Sequence, residues 1–195
     1  WKPTTIGSFV VSPPWETVDD TDRYVIFIEP NMAFGTGTHA TTQLCLEAIG
    51  EIYRPGETLL DVGTGTGILA IGAALMNAAE EREMPRLTGC DLDAGSIDIA
   101  RENAELNNVG GTIDFYVGSI KEDTEQADLV VANLTIDVIK PLLDLLLAKS
   151  KRILMLSGVL TEQRTELESE LGIRGIAHAE IRTSGEWIAA IIRRS

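Results

Sequence analysis

The chain has 195 residues, 44% hydrophobic and 24% charged, which suits one globular domain burying roughly 70% of its extended surface and leaves no room for two. Sixteen Lys and Arg against thirty Asp and Glu give a net charge of −14, which repels a polyanion and argues against broad or direct nucleic-acid readout. Two cysteines within apolar runs, Cys45 and Cys90, favour a reduced, cytoplasmic setting over a disulfide scaffold, and the sequence carries neither a membrane-length apolar run nor a signal segment.

The chain opens at Trp1, as a trimmed form or the remainder of a longer chain would. Residues 1–30 alternate β-favouring runs (Ile6 to Val11, Tyr24 to Glu29) with Pro3, Pro13, Pro14 and an acidic patch, predicting an extended lead-in or linker with one short hairpin. Residues 31–195 read as the functional domain. Leu44, Ala48 and Ile52 recur at helical spacing between Thr38 and Tyr53, until Pro55-Gly56 breaks the pattern. Thr58 to Val62 predicts an apolar strand, Gly63, Gly65 and Gly67 a turn, and Ile68, Ile71 and Leu75 one face of a helix. Leu87 to Leu92 repeats the strand, and Ile97, Ala100 and Ala104 the helix. Thr112 to Val117 and Asp128 to Ala132 predict two further strands, with about one helical turn between them over Lys121 to Gln126. An amphipathic helix (Ile136, Ile139, Leu143, Leu146), a strand (Arg152 to Leu156), a polar helix (Thr161 to Leu171) and a hairpin of Gly175–Thr183 with Glu186–Arg193 follow. Apolar strands alternating with helices require a mostly parallel sheet covered on both faces, here seven-stranded and doubly wound with right-handed crossovers: an α/β, Rossmann-like fold.

In such a sheet the ligand crevice lies beyond the carboxyl ends of the strands, and a glycine-rich first turn lets backbone approach the ligand. Leu59-Leu60-Asp61-Val62-Gly63-Thr64-Gly65-Thr66-Gly67 supplies that turn, and Asp91 ends the next strand where it can accept from ribose hydroxyls. The dinucleotide fingerprint needs a glycine where Ile68 stands, and no Gly-Lys pair exists for a phosphate loop. Nicotinamide and nucleoside triphosphate are therefore disfavoured. The acid at Asp61, the G-x-G-x-G turn and Asp91 resemble the class I methyltransferases, which bind S-adenosyl-L-methionine.

A second cluster runs Pro30-Asn31-Met32-Ala33-Phe34-Gly35-Thr36-Gly37-Thr38-His39-Ala40-Thr41-Thr42, with Asn133-Leu134-Thr135 and Gly185-Glu186-Trp187 later in the chain. Together these resemble the ribosomal protein L-eleven (L11) methyltransferase family, of PrmA type, over about residues 28–195. The resemblance implies cofactor contacts at Thr42, Gly63, Asp91 and Asn133. Gly65 and Gly67 join them from the glycine turn, and Ser119, after the third strand, stands where the fold usually places an adenine contact or is equally a turn serine. Phe34, His39 and Thr135 are expected to line the acceptor site. His39 could instead cap the following helix, Thr41 and Thr42 could satisfy helix amides, and Asp93 could cap the helix from Ala94. With two histidines and two cysteines, no metal site is expected. The family also carries an amino-terminal domain that presents the substrate, where a short lead-in is expected here.

Methyl transfer from a sulfonium is an in-line displacement that needs a positioned neutral nucleophile and no strong acid. Keeping a lysine amine neutral near pH 7.5 costs about 4 kcal/mol, and an α-amine under about 1. Asn133 Oδ1 and the Leu134 carbonyl are the expected catalytic acceptors for amine hydrogens. Leu134 and Thr135 offer no stacking surface, which weakens a nucleobase acceptor. The reading is thus a protein N-methyltransferase acting on amines (α-amine, lysine or both) of a ribosomal protein, L11 being the expected partner. The alternatives are a methyltransferase of another protein or small amine, and a catalytically silent cofactor- or ribosome-binding module. Acceptor residue, methyl count and oligomeric state are not legible.

Overall fold

A computed structural model describes residues 1–19, 21–30 and 39–195 of the chain. The run from Ile6 to Val11 is not one strand: β1 (Thr4–Ile6) and β2 (Phe9–Ser12) form an antiparallel hairpin that turns at Gly7-Ser8, with Gly7 at φ +54°. A third strand, β3 (Tyr24–Phe27), pairs parallel to β2, completing a small three-stranded sheet. Ile6, Phe9, Val11, Ile26 and Ile28 are buried in the same core as the helices that follow. The segment expected as a lead-in is packed rather than loose, because apolar side chains on alternate positions had no other way out of water.

The large sheet has seven strands: β4 (Leu59–Val62), β5 (Leu87–Asp91), β6 (Ile113–Val117), β7 (Ala127–Asn133), β8 (Ser150–Leu160), β9 (Glu180–Ser184) and β10 (Trp187–Arg193). Their order is β6-β5-β4-β7-β8-β10-β9, with β4 to β8 parallel and β10 antiparallel to both neighbours. Helices α1 (Ala40–Ile52), α2 (Ile68–Ala79) and α3 (Ala94–Leu106) contribute to one core, and α4 (Ile136–Lys149) and α5 (Arg164–Ile173) to a second. This is the doubly wound arrangement that the alternation of apolar strands and amphipathic helices predicts. Chain direction switches sides between β4 and β7, which opens a crevice at their carboxyl ends.

Local readings differ in places. Lys121 to Gln126 forms a turn rather than a helical one, with Thr124 N donating to Lys121 O at 3.1 Å and Lys121 N to Thr124 Oγ1 at 2.8 Å. Three acids in six residues offer no apolar stripe to dock a helix. Strand β8 spans eleven residues instead of five, since it is sandwiched between β7 and β10 and both partners satisfy its backbone. Conversely, Gly175 to Ala179 stays out of the hairpin, whose pairing begins at Glu180.

Two buried asparagines tie the small sheet to the large one. Asn107 Oδ1 accepts from Phe27 N at 2.8 Å and its Nδ2 donates to Phe27 O at 2.7 Å, so α3 closes the free edge of β3. Asn103 Oδ1 accepts from Glu29 N at 3.3 Å, while its Nδ2 donates to Thr66 O at 3.0 Å in the glycine turn.

Candidate active site

The glycine turn joins β4 to α2 and hangs on the end of β5. Gly63 N and Thr64 N both donate to Cys90 O at 2.8 Å, and Gly65 N donates to Asp91 Oδ2 at 3.0 Å. Asp91 Oδ1 accepts from Asp93 N at 3.0 Å, so this carboxylate organises the loops on both sides of the crevice while keeping lone pairs for a ligand. Asp93 caps α3 through Ser96 N at 3.0 Å, which fulfils its structural reading. Gly63 is doubly required: its φ is +78°, and a Cβ there would lie 2.5 Å from Leu134 Cδ2. Gly67 starts α2 at φ +81°, but the space above it is filled by Phe115 and Ala100. It sets helix-to-strand packing and does not line the crevice.

The crevice is a cleft of about 640 Å³ walled by Gly63, Gly65, Asp91, Ser119, Asn133 and Leu134, together with Leu92, Asp137 and Val138. Such a volume falls in the range of small-molecule and cofactor sites. Beside it lies a second cavity of about 330 Å³, lined by His39, Thr41, Asn133, Leu134, Thr135, Val138, Gly158 and Trp187. Asn133, Leu134 and Val138 belong to both. Two sites meeting at one thin wall is the geometry for transfer of a small group between two bound molecules.

That wall is held from behind by β8. Asn133 pairs with Ser157, Leu134 N donates to Ser157 O at 3.0 Å, and Ser157 Oγ donates to Ile188 O at 3.0 Å. Gly158 has φ +84°, and a Cβ on it would fall on the Leu134 backbone. Only glycine lets the Asn133-Leu134 turn approach β8 this closely. On the far side of the second cavity, His39 caps α1, its Nδ1 accepting from Thr41 N at 3.2 Å and lying 2.8 Å from Thr41 Oγ1. The imidazole also meets the Trp187 indole edge-on, centroids 5.1 Å apart. His39 thus caps α1 and also lines the second cavity.

Three buried polar atoms in this region have no partner among the described residues: Thr42 Oγ1, Asp61 Oδ1 and Asn133 Oδ1. Buried acceptors left unpaired are costly, and ligand donors are a usual explanation at a site. Asp61, on β4, pairs in register with Val131, two residues before Asn133 on the same face of β7. Its Oδ2 accepts from Thr64 Oγ1 at 2.8 Å; burial, only partly offset by that bond and reinforced by the nearby Asp91 charge, pushes its carboxyl up to about 7. Burial likewise pushes the adjacent Cys45 thiol up to about 12, keeping it protonated.

The ribosomal protein L11 methyltransferase (PrmA) family model matches residues 1–195. The chain belongs to this family. Its relatives include the ribosomal protein L11 methyltransferase of Desulfitobacterium hafniense, 39% identical over 96% of this chain and 60% of that protein. The corresponding protein of Aquifex aeolicus is 37% identical over 100% of this chain and 73% of its own length. A crystal structure of ribosomal protein L11 methylase from Lactobacillus delbrueckii subsp. bulgaricus superposes with a TM-score of 0.87 at 28% identity, covering 100% of both chains. The chain spans about 60% of the length of the first of these relatives. As a PrmA-family chain it has the class I methyltransferase fold expected from its glycine turn.

Against that family background, the structure brings Gly63, Gly65, Asp91, Ser119 and Asn133 to the cleft, and His39, Leu134 and Thr135 to the second cavity. Thr42 lies buried on α1 with its hydroxyl unpartnered, and Gly67 is turned to packing. Phe34 and the glycines of its cluster lie outside the described residues. Missed from sequence were Gly158, Trp187, Val138 and Leu92. A lone glycine inside the apolar run of β8 was the available signal for Gly158, and Trp187 stood in the family motif without a role. Val138 and Leu92 carry no such mark.

Proposed function

We propose that the chain binds S-adenosyl-L-methionine in the larger cleft and transfers its methyl group to a neutral amine seated in the smaller cavity, the amine belonging to ribosomal protein L11 in the cytoplasm. The single observation that carries this reading is the wall shared by the two cavities, formed by Asn133 and Leu134, with the Asn133 carboxamide oxygen buried and unpaired. The fit of the cofactor rests on the unpaired Thr42, Asp61 and Asn133 oxygens, on Asp91 beside the glycine turn, and on a cleft of suitable volume.

When bound, the cofactor supplies a sulfonium methyl whose C–S bond breaks as the amine's N–C bond forms, the bonding pair going to sulfur. Asn133 Oδ1 is placed to accept an amine hydrogen and point the nitrogen lone pair across the wall. Leu134, tied to Ser157 behind and packed on Gly63 in front, fixes where that oxygen sits. The second cavity is largely apolar, with no Asp or Glu among its lining residues. It therefore disfavours an ammonium and favours the neutral amine, whose proton is left to water before entry. The Trp187 indole, braced edge-on by the His39 ring, supplies an apolar surface for the alkyl chain carrying the amine.

The test uses purified ribosomal protein L11 as acceptor. Asn133→Ala is expected to lower the single-turnover methylation rate on the order of tenfold to thousandfold, with a smaller change in cofactor affinity. A normal rate in the variant removes Asn133 from the mechanism, and a chain that binds cofactor but never forms S-adenosylhomocysteine is a silent binding module instead.

A further inference from the structure

Among the described residues, Asp61 is the one acid whose side chain is buried, at 1% exposure, and methyl transfer as set out above assigns it no step. One of its oxygens is held by Thr64 and the other has no partner among the described residues. The titratable groups facing it are the Cys45 thiol on α1 and the Cys90 thiol and Asp91 carboxylate on β5. Burial raises both thiols, so they stay neutral, and Asp91 adds negative charge. On β7 and β8 its polar neighbours Asn133 and Ser157 do not titrate, and residues 31–38 contain no titratable side chain. His39 is the histidine of the second cavity, across Asn133. Asp61 is thus a carboxyl with no cation to neutralise it, one residue from Val62 and two from Gly63, which line the larger cleft.

S-adenosylmethionine and its demethylated product differ by one methyl group and one positive charge on sulfur. In a water-poor site a nearby carboxylate feels that charge strongly, and the cation in turn favours the carboxylate over the acid. We propose that ionised Asp61 makes this cleft prefer the sulfonium cofactor over its neutral sulfide product, and that cofactor binding expels the Asp61 proton. Methyl transfer moves the positive charge from sulfur to the acceptor nitrogen; once the methylated ammonium has left or given its proton to water, the carboxyl takes up a proton from water and the product has lost its electrostatic hold. This proposal rests on the cofactor reading above. Below neutral pH the free site already holds the proton, so the cofactor must displace it and its advantage shrinks; the α-ammonium common to both ligands cancels in the comparison.

Titration calorimetry of the whole chain with S-adenosylmethionine and with S-adenosylhomocysteine, at about pH 5.5 and about pH 8.5, tests it. The preference for the sulfonium ligand is expected to fall by about fivefold or more at the lower pH. Repeating the titrations near pH 7 in two buffers of different ionisation enthalpy should show more protons released by the cofactor than by the product. Asp61→Asn should abolish both effects, and His39→Gln should leave them in place. A preference independent of pH, or one that persists unchanged in Asp61→Asn, overturns the proposal. If that variant does not fold, the proton counts decide alone, and equal counts for the two ligands overturn it. Absence of binding by either ligand at any pH refutes the cofactor reading itself.

Discussion

Gly158→Ala tests the wall between the two cavities without removing any side chain from it. At φ +84° an L residue pays about 1–2 kcal/mol for the left-handed conformation. The added methyl then falls on the Leu134 backbone rather than on a flexible side-chain end, so relief requires the Asn133-Leu134 turn to move off β8. Forced overpacking of this kind costs about a further 1–3 kcal/mol. For a chain of this length the sum lowers the melting temperature by roughly 5–15 °C, which differential scanning calorimetry resolves. The functional consequence is larger in proportion, because a displacement near 1 Å of an orienting group costs about a hundredfold in rate. On the function proposed above, single-turnover methylation of ribosomal protein L11 should therefore fall about that far, while S-adenosylhomocysteine affinity, for which Asp91 and the glycine turn are also proposed contacts, changes much less. A variant that melts lower but transfers methyl at the original rate would show that the position of the Asn133-Leu134 turn does not control the chemistry.

Three further outcomes are expected. Asp91→Ala removes the acceptor for Gly65 N and Asp93 N as well as the proposed cofactor contact, so calorimetry should find binding weaker by roughly 1.5–3 kcal/mol, together with a measurable loss of thermal stability. Trp187→Ala should raise the KM for the protein acceptor more than it lowers kcat, since the indole lines the second cavity and not the larger cleft; an unchanged KM would detach the ring from acceptor binding. In the cofactor-free protein, Asp61 is raised on folding to about 7, so the native state holds its proton longer than the unfolded chain and this group's contribution to stability is full below about pH 4 and declines as pH rises through about 7. The difference in unfolding free energy between wild type and Asp61→Asn, from urea titrations across that window, should change by a few kcal/mol in that direction, and a flat difference would show that Asp61 ionises normally.

Much of this was written in local signals. The strand-to-helix alternation from Thr58 onward, the glycine turn and the acid ending β5 are short-range patterns, each set by residues within a few positions of one another, and they determined the doubly wound sheet and the cleft at its switch point. The same holds for Asp93 as a cap, where the four residues from Asp93 to Ser96 suffice. What sequence could not decide depends on contacts between distant segments. Gly67 and Gly63 look equivalent in a G-x-G-x-G run, yet packing against Phe115 and Ala100 assigns one to the core while Leu134 assigns the other to the cleft. The amino-terminal segment read as a linker because prolines and acids interrupt its short strands, and only burial of Phe9, Ile26 and Ile28 against α1 and α2 makes it part of the core. Gly158 and Trp187 acquire a role solely because β8 and β10 pair behind the Asn133-Leu134 turn, 25 residues and more along the chain. Local hydrogen bonding and periodicity are encoded residue by residue, whereas the close approach of two backbones, and the cavity it leaves, exists only once the sheet has brought them together.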